Sequence, residues 1–552
     1  MRYYTNVQMV GNDFLVRGYE NGKSFTTREQ YSPTLFVPSK KRTKYKTLDG
    51  KYVQSIKPGT VRECREFYRT HGEVEGFDIY GNNRYIYQYI SDKYPEREIE
   101  FDISKIKLVT IDIEVKSEKG FPTVQACDEE MLCVTLQDYA TKRILTFGVG
   151  PYHHNDPMVK YVQCNDEYDM LQHFIKFWSH DPPEVVTGWN CQLYDIAYLA
   201  KRITKVLGEK ACKKLSPWGL VTHEEIYLQG RAHTIYDIGG VTVLDYLDLY
   251  RKFTYKAQES YKLDYIGEVE LGKKKLDHSE FDTFKDFYTK AWNKFVDYNI
   301  QDVRLVDALE EKMKLIELAV TMAFDAKVNF TDVFYQVRMW DMIIYNDLKR
   351  KGIVIPPKKD ESKSEKYAGA YVKEPIPGIY DWVVSFDLNS LYPHLIMQYN
   401  ISPETLLDER YPNVSVDKLL NEEVDLSGLD GVTVCPNGAM FTTEKQGFLP
   451  KLMDKIYNER VVFKKKMIKA KKKYEKTPTK ELEREISRCN NIQMAKKIQL
   501  NSAYGAIGNN YFRYYKLENA EAITLGGQFS IRWIENRMNK YMNKLLKTQE
   551  VD

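Results

Sequence analysis

The chain has 552 residues, of which 43% are hydrophobic and 29% charged, so it can bury large cores and should divide into about three to five globular units. Lys and Arg together number 81 and Asp and Glu 78, so net charge neither indicates nor excludes a polyanionic partner. The 8 cysteines occur singly and no run of about 18 apolar residues is present, which argues against a disulfide framework, a structural zinc site and a membrane span.

Residues 1–105 begin without the basic and apolar regions of a signal peptide, and we expect a soluble cytoplasmic protein with reduced thiols. Short alternating strands with the turn signals Asn21-Gly22 and Asp49-Gly50 indicate an α+β region. Mixed strands and helices follow over residues 106–326 and predict an α/β layer domain. The candidates are strands at 106–111, 185–187 and 241–244 and helices at 169–178 and 284–306.

The second half of the chain begins with helical, apolar-periodic residues at 307–350, and the polar stretch 356–363 is typical of a linker. Apolar residues at 382–386 predict a strand. A last amphipathic helix is predicted at 528–546.

Two long helical patterns between residues 451 and 504, interrupted at 476–479, predict an antiparallel helical hairpin. Thr477 can cap the second helix, with Pro478 at its first position. Residues 451–473 hold ten Lys or Arg residues and two acids. This density suits contact with phosphates, and it suits a solvated helix face equally well.

Two acidic residues, Asp112 and Glu114, close an apolar run. Because alternate residues of a strand share one face, their carboxylates point the same way. Two carboxylates held together favour a divalent cation, because their repulsion otherwise raises the pKa of one of them. Taken alone, such a pair is more often an ordinary exposed pair.

Two later segments carry further side chains that could complete a metal site with this pair. Asp195 ends the segment GWNCQLYD, and Tyr298 and Asp302 lie four residues apart, on one face of a predicted helix. Four carboxylates and a phenol can hold two oxygen-liganded metals on a phosphodiester, one activating water and one stabilising the leaving oxygen. The order of the segments resembles the signature of the DnaQ-like 3′–5′ exonuclease domain of family B DNA polymerases. The resemblance implies five catalytic residues, namely Asp112, Glu114, Asp195, Tyr298 and Asp302. It implies that the four acids among them bind metal.

Residues 385–393, SFDLNSLYP, resemble motif A of the family B palm. The resemblance implies that the catalytic Asp387 and the carbonyl of Leu388 bind metal. It also implies that Tyr392 lies under the sugar of the incoming nucleotide, where its ring excludes a 2′-hydroxyl. Considered without the rest of the segment, Tyr392 would be interpreted as a buried tyrosine before a proline turn.

Residues 497–505, KIQLNSAYG, resemble motif B of the same family. Lys497, Asn501 and Tyr504 follow the i, i+4, i+7 spacing of one helix face. The resemblance implies that Lys497 and Asn501 act in the triphosphate network, that Tyr504 packs on the nascent base pair, and that Gly505 lies at the DNA.

Arg460 and Lys464 are spaced i, i+4 on the first arm of the predicted hairpin. If the hairpin turns them towards Lys497, three cations face a triphosphate and neutralise the leaving pyrophosphate. Considered alone, Arg460 would be interpreted as an exposed surface charge.

Two further segments resemble DNA-contacting parts of the family. Residues 367–371, YAGAY, are similar to its Tyr-x-Gly-Gly/Ala link, which implies that Tyr367 and Gly369 touch the template strand, where small residues let the backbone approach. Residues 225–233 predict a β-hairpin containing Arg231. A hairpin in this place helps to part primer from template in T-even-like polymerases.

The resemblance extends over essentially all 552 residues, and the chain is identified as similar to family B DNA polymerases of T-even-type bacteriophages. This implies a multidomain α/β and α+β fold, with a ribonuclease H-like exonuclease domain and a partial palm with helical-hairpin fingers. It implies two-metal sites for Mg²⁺ or Mn²⁺, dNTP substrates, primer-template and single-stranded DNA, no membrane, and the cytoplasm of an infected host. The implied domains are an N-terminal domain (1–105 and 327–366), the exonuclease (106–326), a partial palm (367–449 and 513–552) and fingers (450–512).

One part of the family pattern is missing. Family B catalysis uses a second palm aspartate in a Tyr-Gly-Asp-Thr-Asp-Ser motif, and no such string is present. One aspartate cannot hold two magnesium ions for in-line displacement. We therefore expect negligible nucleotidyl transfer by this chain alone. We expect a second polypeptide that completes the palm and thumb and binds the sliding clamp. The alternative is that the sequence is a trimmed chain. An unfinished palm sheet exposes apolar surface, and the expected interface lies near residues 528–552 and 382–387.

Two other functions fit parts of the sequence. One is a stand-alone metal-dependent 3′–5′ DNA exonuclease with a vestigial palm. The other is an RNA-binding autoregulator, for which the basic, aromatic-containing residues 1–100 are the single supporting feature.

Overall fold

The structure is a computed structural model that describes residues 1–228, 230–254, 256–358 and 367–549. The described chain divides into two compact units. Unit 1 contains residues 1–32, 60–62 and the described part of 84–334, and unit 2 contains residues 33–59, 63–83 and the described part of 335–552. Among the described residues, no helix is both long and apolar enough to cross a membrane. The residues implied for the N-terminal domain are shared between the two units, and the domain boundaries stay a prediction.

Seventeen strands are present among the described residues. In chain order they are β1 (Arg2–Val10), β2 (Asp13–Glu20), β3 (Lys23–Gln30), β4 (Leu35–Pro38), β5 (Tyr45–Lys46), β6 (Tyr52–Ile56), β7 (Leu108–Val115), β8 (Met131–Asp138), β9 (Ile144–Gly148), β10 (Val159–Gln163), β11 (Val185–Thr187), β12 (Val221–Leu228), β13 (Arg231–Ile238), β14 (Thr242–Val243), β15 (Leu406–Arg410), β16 (Val432–Val434) and β17 (Ala439–Thr442).

The same residues form sixteen α-helices. They are α1 (Val61–His71), α2 (Tyr85–Lys93), α3 (Glu167–His180), α4 (Asp195–Leu207), α5 (Glu209–Cys212), α6 (Tyr246–Phe253), α7 (Leu263–Leu271), α8 (Phe284–Lys290), α9 (Trp292–Met313), α10 (Leu315–Ala326), α11 (Gln336–Arg350), α12 (Leu391–Tyr399), α13 (Val416–Leu420), α14 (Phe448–Tyr474), α15 (Lys480–Ile507) and α16 (Leu517–Leu546).

The main sheet of unit 1 has six strands in the order β10-β9-β8-β7-β11-β14. The pairs β7–β8 and β8–β9 are antiparallel, whereas β9–β10, β7–β11 and β11–β14 are parallel. Apolar residues of β7 and β8 form a buried core with α3 and α4 on one face. On the other face, α9 packs against β7 and β8. These layers are the α/β domain that the sequence predicted.

Unit 2 contains a three-stranded antiparallel sheet in the order β15-β17-β16. Helix α16 packs against β17, and the hydroxyl of Thr433 in β16 donates to the carbonyl of Tyr399 at the end of α12. Its longest elements, α14 and α15, pack against each other as the predicted helical hairpin. Residues 359–363 of the predicted linker and residues 550–552 lie outside the described residues.

The sequence predicted one helix over residues 284–306, and the structure has two. Ala291 separates α8 from α9 with non-helical angles, φ −138° and ψ 55°. The break brings the rings of Phe287 and Phe295 edge to face, with centroids 5.4 Å apart. In one straight helix these residues would be about 12 Å apart along the axis. Aromatic packing therefore overrides the continuous helical pattern.

The predicted cap of the second hairpin helix was wrong by two residues. The cap is Thr479, whose hydroxyl accepts the N–H of Leu482 at 3.2 Å, and α15 begins at Lys480. Thr477 instead donates its backbone N–H to the carbonyl of Lys473 at 2.9 Å, within the turn that ends α14. Pro478 consequently precedes the cap.

The predicted strand at 382–386 is also absent from the described structure. These residues have no regular secondary structure, and Trp382 is 96% exposed and Phe386 66% exposed. A strand needs a neighbour that satisfies its backbone groups, and no described strand of unit 2 pairs with this segment.

Candidate metal centre

Strand β7 places two carboxylates on one face of the main sheet. Asp112 pairs in register with Thr135 of β8, and Glu114 pairs with Cys133. Ile111, Ile113 and Val115 belong to the core with α3 and α4 on the opposite face. The alternation predicted from the sequence is therefore present, although the acids lie within β7 and not at its end.

Helix α9 lies over this face and contributes three polar side chains. Tyr298 and Asp302 lie one turn apart, and Asp302 is 3% exposed. Asn299, which is fully buried, donates its amide N–H to Oδ2 of Asp112 at 2.6 Å. Asn299 was missed in the sequence, although its position three residues before Asp302 puts it on the same helix face.

Carboxylate oxygens of Asp112, Glu114 and Asp302 all lie within 4.8 Å of one another. We call these three residues the carboxylate cluster. Asp302 Oδ1 is buried and has no hydrogen-bond partner among the described residues. A buried oxygen without a partner carries a free-energy cost that a bound cation would remove. Clustered carboxylates are the hard ligands of Mg²⁺ and Mn²⁺, so the residues present fit such an ion.

Asp195 approaches the cluster from a different element. It is the first residue of α4, is 4% exposed, and accepts the backbone N–H of Ile113 at 3.0 Å. This bond docks the start of α4 against β7 between the two acids of that strand. The structure thus brings together all five residues that the sequence assigned to this site.

Lys275 was not found from the sequence, yet it is the cation of the site. Its ammonium forms an ion pair with Asp302 and lies 4.4 Å from the centroid of the Tyr298 ring. Burial alone would lower the pKa of this lysine, but the attraction of Asp302, Tyr298 and Asp112 raises its pKa overall. Lys275 therefore stays charged and offsets part of the carboxylate charge.

Burial disfavours ionisation throughout the site. It raises the pKa of Glu114 to about 8, of Asp195 to about 7 and of Asp302 to about 6, with Lys275 opposing the shift at Glu114 and Asp302. The pKa of Asp112 is raised well above its usual range by burial and then by repulsion from the other acids. Acids that resist ionisation by themselves are those that a divalent cation would stabilise.

In unit 2, the segment containing Asp387 has a different character. Asp387 and Leu388 are exposed and lie outside regular secondary structure. No other acid is grouped with Asp387 as a possible metal site among the described residues. The described structure therefore contains one carboxylate of this predicted metal site and not a complete site.

Three tyrosines predicted for nucleotide and template contacts do meet in unit 2. The hydroxyls of Tyr367 and Tyr504 are 2.9 Å apart, and the rings of Tyr392 and Tyr504 have centroids 4.9 Å apart. The carbonyl of Gly369 accepts the side-chain N–H of Gln528 at 2.7 Å. All three tyrosines are half-buried, so Tyr392 is not a fully buried core tyrosine.

An ion pair between Glu459 and Lys496, at 3.0 Å, joins the two arms of the helical hairpin. Since these residues precede Arg460 and Lys497, the two predicted phosphate ligands lie on adjoining turns. Arg460 Nε is buried without a hydrogen-bond partner among the described residues, which contradicts the interpretation of Arg460 as a purely exposed charge.

The remaining predicted contacts have distinct environments. Lys464 and Asn501 are exposed on α14 and α15. Gly505 is exposed, and a Cβ atom there would lie 2.4 Å from Oε1 at the end of the Gln336 side chain. Arg231 is exposed at the first position of β13, in the predicted hairpin formed by β12 and β13. Gln229, within the predicted hairpin segment, lies outside the described residues.

Two models of known protein families match this sequence. Residues 334–551 match DNA polymerase family B, and residues 73–266 match DNA polymerase family B, exonuclease domain. The second match includes the two acids of β7 and Asp195, and the first includes the tyrosine group and the helical hairpin.

Individual relatives extend these matches. The chain is 30% identical to the DNA-directed DNA polymerase of Escherichia phage RB69, over 99% of this chain and 67% of that protein. It is 31% identical to the DNA-directed DNA polymerase of Enterobacteria phage T4, over 100% of this chain and 68% of that protein. The DNA polymerase delta catalytic subunit of Candida albicans is 26% identical, over 80% of this chain and 42% of that protein.

Proposed function

Because the chain belongs to DNA polymerase family B and carries that family's exonuclease domain, we propose that unit 1 removes nucleotides from the 3′ end of DNA at the carboxylate cluster. The observation that carries this proposal is the set of three carboxylates whose oxygens lie within 4.8 Å of one another. One of these oxygens is buried and has no hydrogen-bond partner in the described part of the chain. Asp195 and the cluster would together hold Mg²⁺ or Mn²⁺. When bound, the metal would activate water and stabilise the leaving oxygen.

The protein side chains orient the reacting groups. Burial raises the pKa of Tyr298, so its hydroxyl keeps its proton and can donate to the attacking water. Lys275 holds Asp302, and Asn299 holds Asp112, so both carboxylates are fixed before substrate arrives. Phe121 is 78% exposed and its ring lies 5.5 Å from that of Tyr194. An exposed ring beside the site offers a stacking face for an unpaired base.

The direct experiment on unit 1 is the substitution Asp112→Ala. We expect it to lower metal-dependent degradation of single-stranded DNA by about a hundredfold or more, because losing a group that organises charge in the transition state costs about 3 kcal/mol. Glu130→Gln, at an exposed acid paired with Lys116, is the control. Full activity in the Asp112→Ala variant would remove the assignment.

We also propose that unit 2 extends primers with dNTP substrates. Asp387 and the carbonyl of Leu388 would bind metal, and Tyr392 and Tyr504 would contact the incoming nucleotide and the nascent base pair. The adjoining positions of Arg460 and Lys497 support a triphosphate site at the hairpin, to which Lys464 and Asn501 are assigned by the resemblance. The template and primer contacts assigned to Tyr367, Gly369, Gly505 and Arg231 are proposals of the same kind.

The exposed apolar segment 382–387 supports a palm that is completed by further residues. Trp382, Val383 and Phe386 are each more than 60% exposed, and added strands would cover them and bring a second carboxylate to Asp387. We propose that a second polypeptide supplies these strands, together with contact to the sliding clamp, as an alternative to their being part of the same chain. Location in an infected host's cytoplasm stays a prediction.

Primer extension tests this proposal. The chain alone should extend a primer negligibly, and adding a polypeptide that carries the rest of palm and thumb should restore extension. Absence of any gain on mixing would contradict a divided polymerase. It would favour the stand-alone exonuclease with a vestigial palm, which the exposed position of Asp387 also allows.

A further inference from the structure

Asp195 reaches the carboxylate cluster from the end of a loop, so its position depends on how that loop is held. The loop, residues 188–194, joins β11 to α4. Asn190 within it has φ of 65°, a left-handed conformation that asparagine adopts more readily than most residues other than glycine.

Asp245 holds the loop with both oxygens of its carboxylate. Oδ1 accepts the backbone N–H of Asn190 at 3.0 Å, and Oδ2 accepts the backbone N–H of Gln192 at 2.9 Å. Asp245 is 4% exposed, so water does not compete for these bonds. One carboxylate thus binds two backbone amides, two residues apart, and fixes both the position and the orientation of the loop.

Asp245 is itself anchored to the main sheet. It lies between β14 and α6, and it caps α6 by accepting the N–H of Leu247 at 3.0 Å. On either side, Leu244 donates to the carbonyl of Val186 at 2.8 Å and Tyr246 donates to that of Gly188 at 2.9 Å. The group that holds the loop is therefore part of the layer that carries the acids of β7.

Hydrogen bonds transmit this constraint from the loop to Asp195. The N–H of Tyr194 donates to the carbonyl of Asn190 at 3.1 Å, and the N–H of Ile196 donates to that of Cys191 at 2.9 Å. The residues on both sides of Asp195 are thus tied to the part of the loop that Asp245 holds.

We propose that Asp245 is a positioning residue for the nuclease reaction of unit 1, holding residues 188–194 so that Asp195 meets the metal at the carboxylate cluster. This inference rests on the proposed function. An amide cannot replace the carboxylate, because one of its two terminal atoms is a donor and would face the N–H of Gln192 or Asn190. Residues that orient metal ligands without touching the metal often control its affinity.

The test compares three variants. Asp245→Asn loses one loop bond, and Asp245→Ser keeps a hydroxyl that can cap α6 but cannot bridge two loop amides. Asp248→Asn, one turn along α6 and more exposed, is the matched control. Mn²⁺ binding to the full chain, measured by electron paramagnetic resonance, should weaken about 10- to 100-fold in both Asp245 variants and stay unchanged in Asp248→Asn.

Nuclease kinetics distinguish positioning from loss of a ligand. With either Asp245 variant, activity should fall at low Mg²⁺ and return at saturating Mg²⁺, because Asp195 is still present. Asp195→Asn should show no such recovery. Wild-type metal affinity in both Asp245 variants, or equal weakening in Asp248→Asn, would overturn the proposal.

A measurement on the unmodified chain covers the case in which both Asp245 variants unfold. Hydrogen exchange without metal should show the amides of Asn190 and Gln192 protected to the level of β11. Rapid exchange of both amides would overturn the inference. Nuclease inactivity of the wild-type chain would refute the proposed function, while metal binding and exchange would still report on Asp245.

Discussion

Lys275 shares its single positive charge among the acids packed around it. Its ammonium is paired with Asp302 and lies over the ring of Tyr298, and it also opposes the rise that burial causes in the pKa of Glu114. One cation cannot neutralise four acids, so the raised carboxylate pKa values persist. Without metal, the site is a region where the folded state carries an electrostatic cost.

Replacing Lys275 by Met should expose that cost. We expect the free energy of unfolding of the full chain in EDTA to fall by about 2–3 kcal/mol, because removing one partner of a largely buried ion pair leaves its acid uncompensated. The loss should be smaller in Mg²⁺, which supplies positive charge at the same place. Urea denaturation monitored in both buffers measures the difference.

The matched control for this experiment is Lys285→Met. Lys285 pairs with Glu118 at an exposed position, where solvent screens the interaction. Its effect should be small and equal in EDTA and Mg²⁺. Equal destabilisation by the two substitutions would contradict the role given to Lys275.

Stability and metal binding should both depend on pH through the buried acids. Asp302, Asp195 and Glu114 have folded-state pKa values of about 6, 7 and 8, above the unfolded values of about 4. The folded protein therefore binds more protons in this range, and its stability in EDTA should fall as pH rises from about 4 to about 8. Protons compete with metal, so Mg²⁺ should raise the unfolding midpoint more at pH 8 than at pH 6. A Mg²⁺ effect independent of pH would contradict this assignment.

Strand and helix periodicity predicted that Asp112 shares a face with Glu114, and Tyr298 with Asp302. Asp195, the fourth acid, was assigned by the resemblance of its segment. Periodicity could not find Lys275, which lies in an irregular stretch between α7 and α8, where it predicts no direction. Asp245 was equally hidden, since its role depends on a loop more than 50 residues earlier in the chain.

At the scale of elements, the cap of α15 offers a matched pair of substitutions. Thr479→Ala should cost about 1 kcal/mol of local stability, because the N–H of Leu482 loses its acceptor, whereas Thr477→Ala should cost less. Hydrogen exchange in the first turn of α15 should accelerate about fivefold in the first variant only. A larger effect of Thr477→Ala would contradict the observed cap.

Element prediction failed where the deciding contact was not local. The pattern at 382–386 is that of a strand, but a strand forms only with a partner, and none is described for it. The helix predicted from residue 528 actually begins at Leu517. Its first part includes Gly526 and Gly527, which are poor helix formers, and packing against α12 stabilises it there.

At the scale of the whole molecule, the two predicted chemistries belong to separate compact units. Asp387 lies in unit 2, and the carboxylate cluster lies in unit 1. We therefore expect Asp387→Ala to leave degradation of single-stranded DNA unchanged, while abolishing any primer extension obtained with a completed palm. Asp112→Ala should abolish degradation of single-stranded DNA and leave that primer extension unchanged. Parallel loss of both activities in either variant would contradict independent sites.

Unit 2 includes residues 33–59 and 63–83, but most of it begins only at residue 335. During synthesis, β4, β5 and β6 leave the ribosome long before α11, with which they share a compact unit. At about 5–20 residues per second the wait is of the order of 15–55 s. Throughout that interval the sheet of these strands lacks the later residues of its unit, such as Ile353, which bridges to Lys46. This sheet is therefore a part of the nascent chain in which a chaperone would find exposed surface.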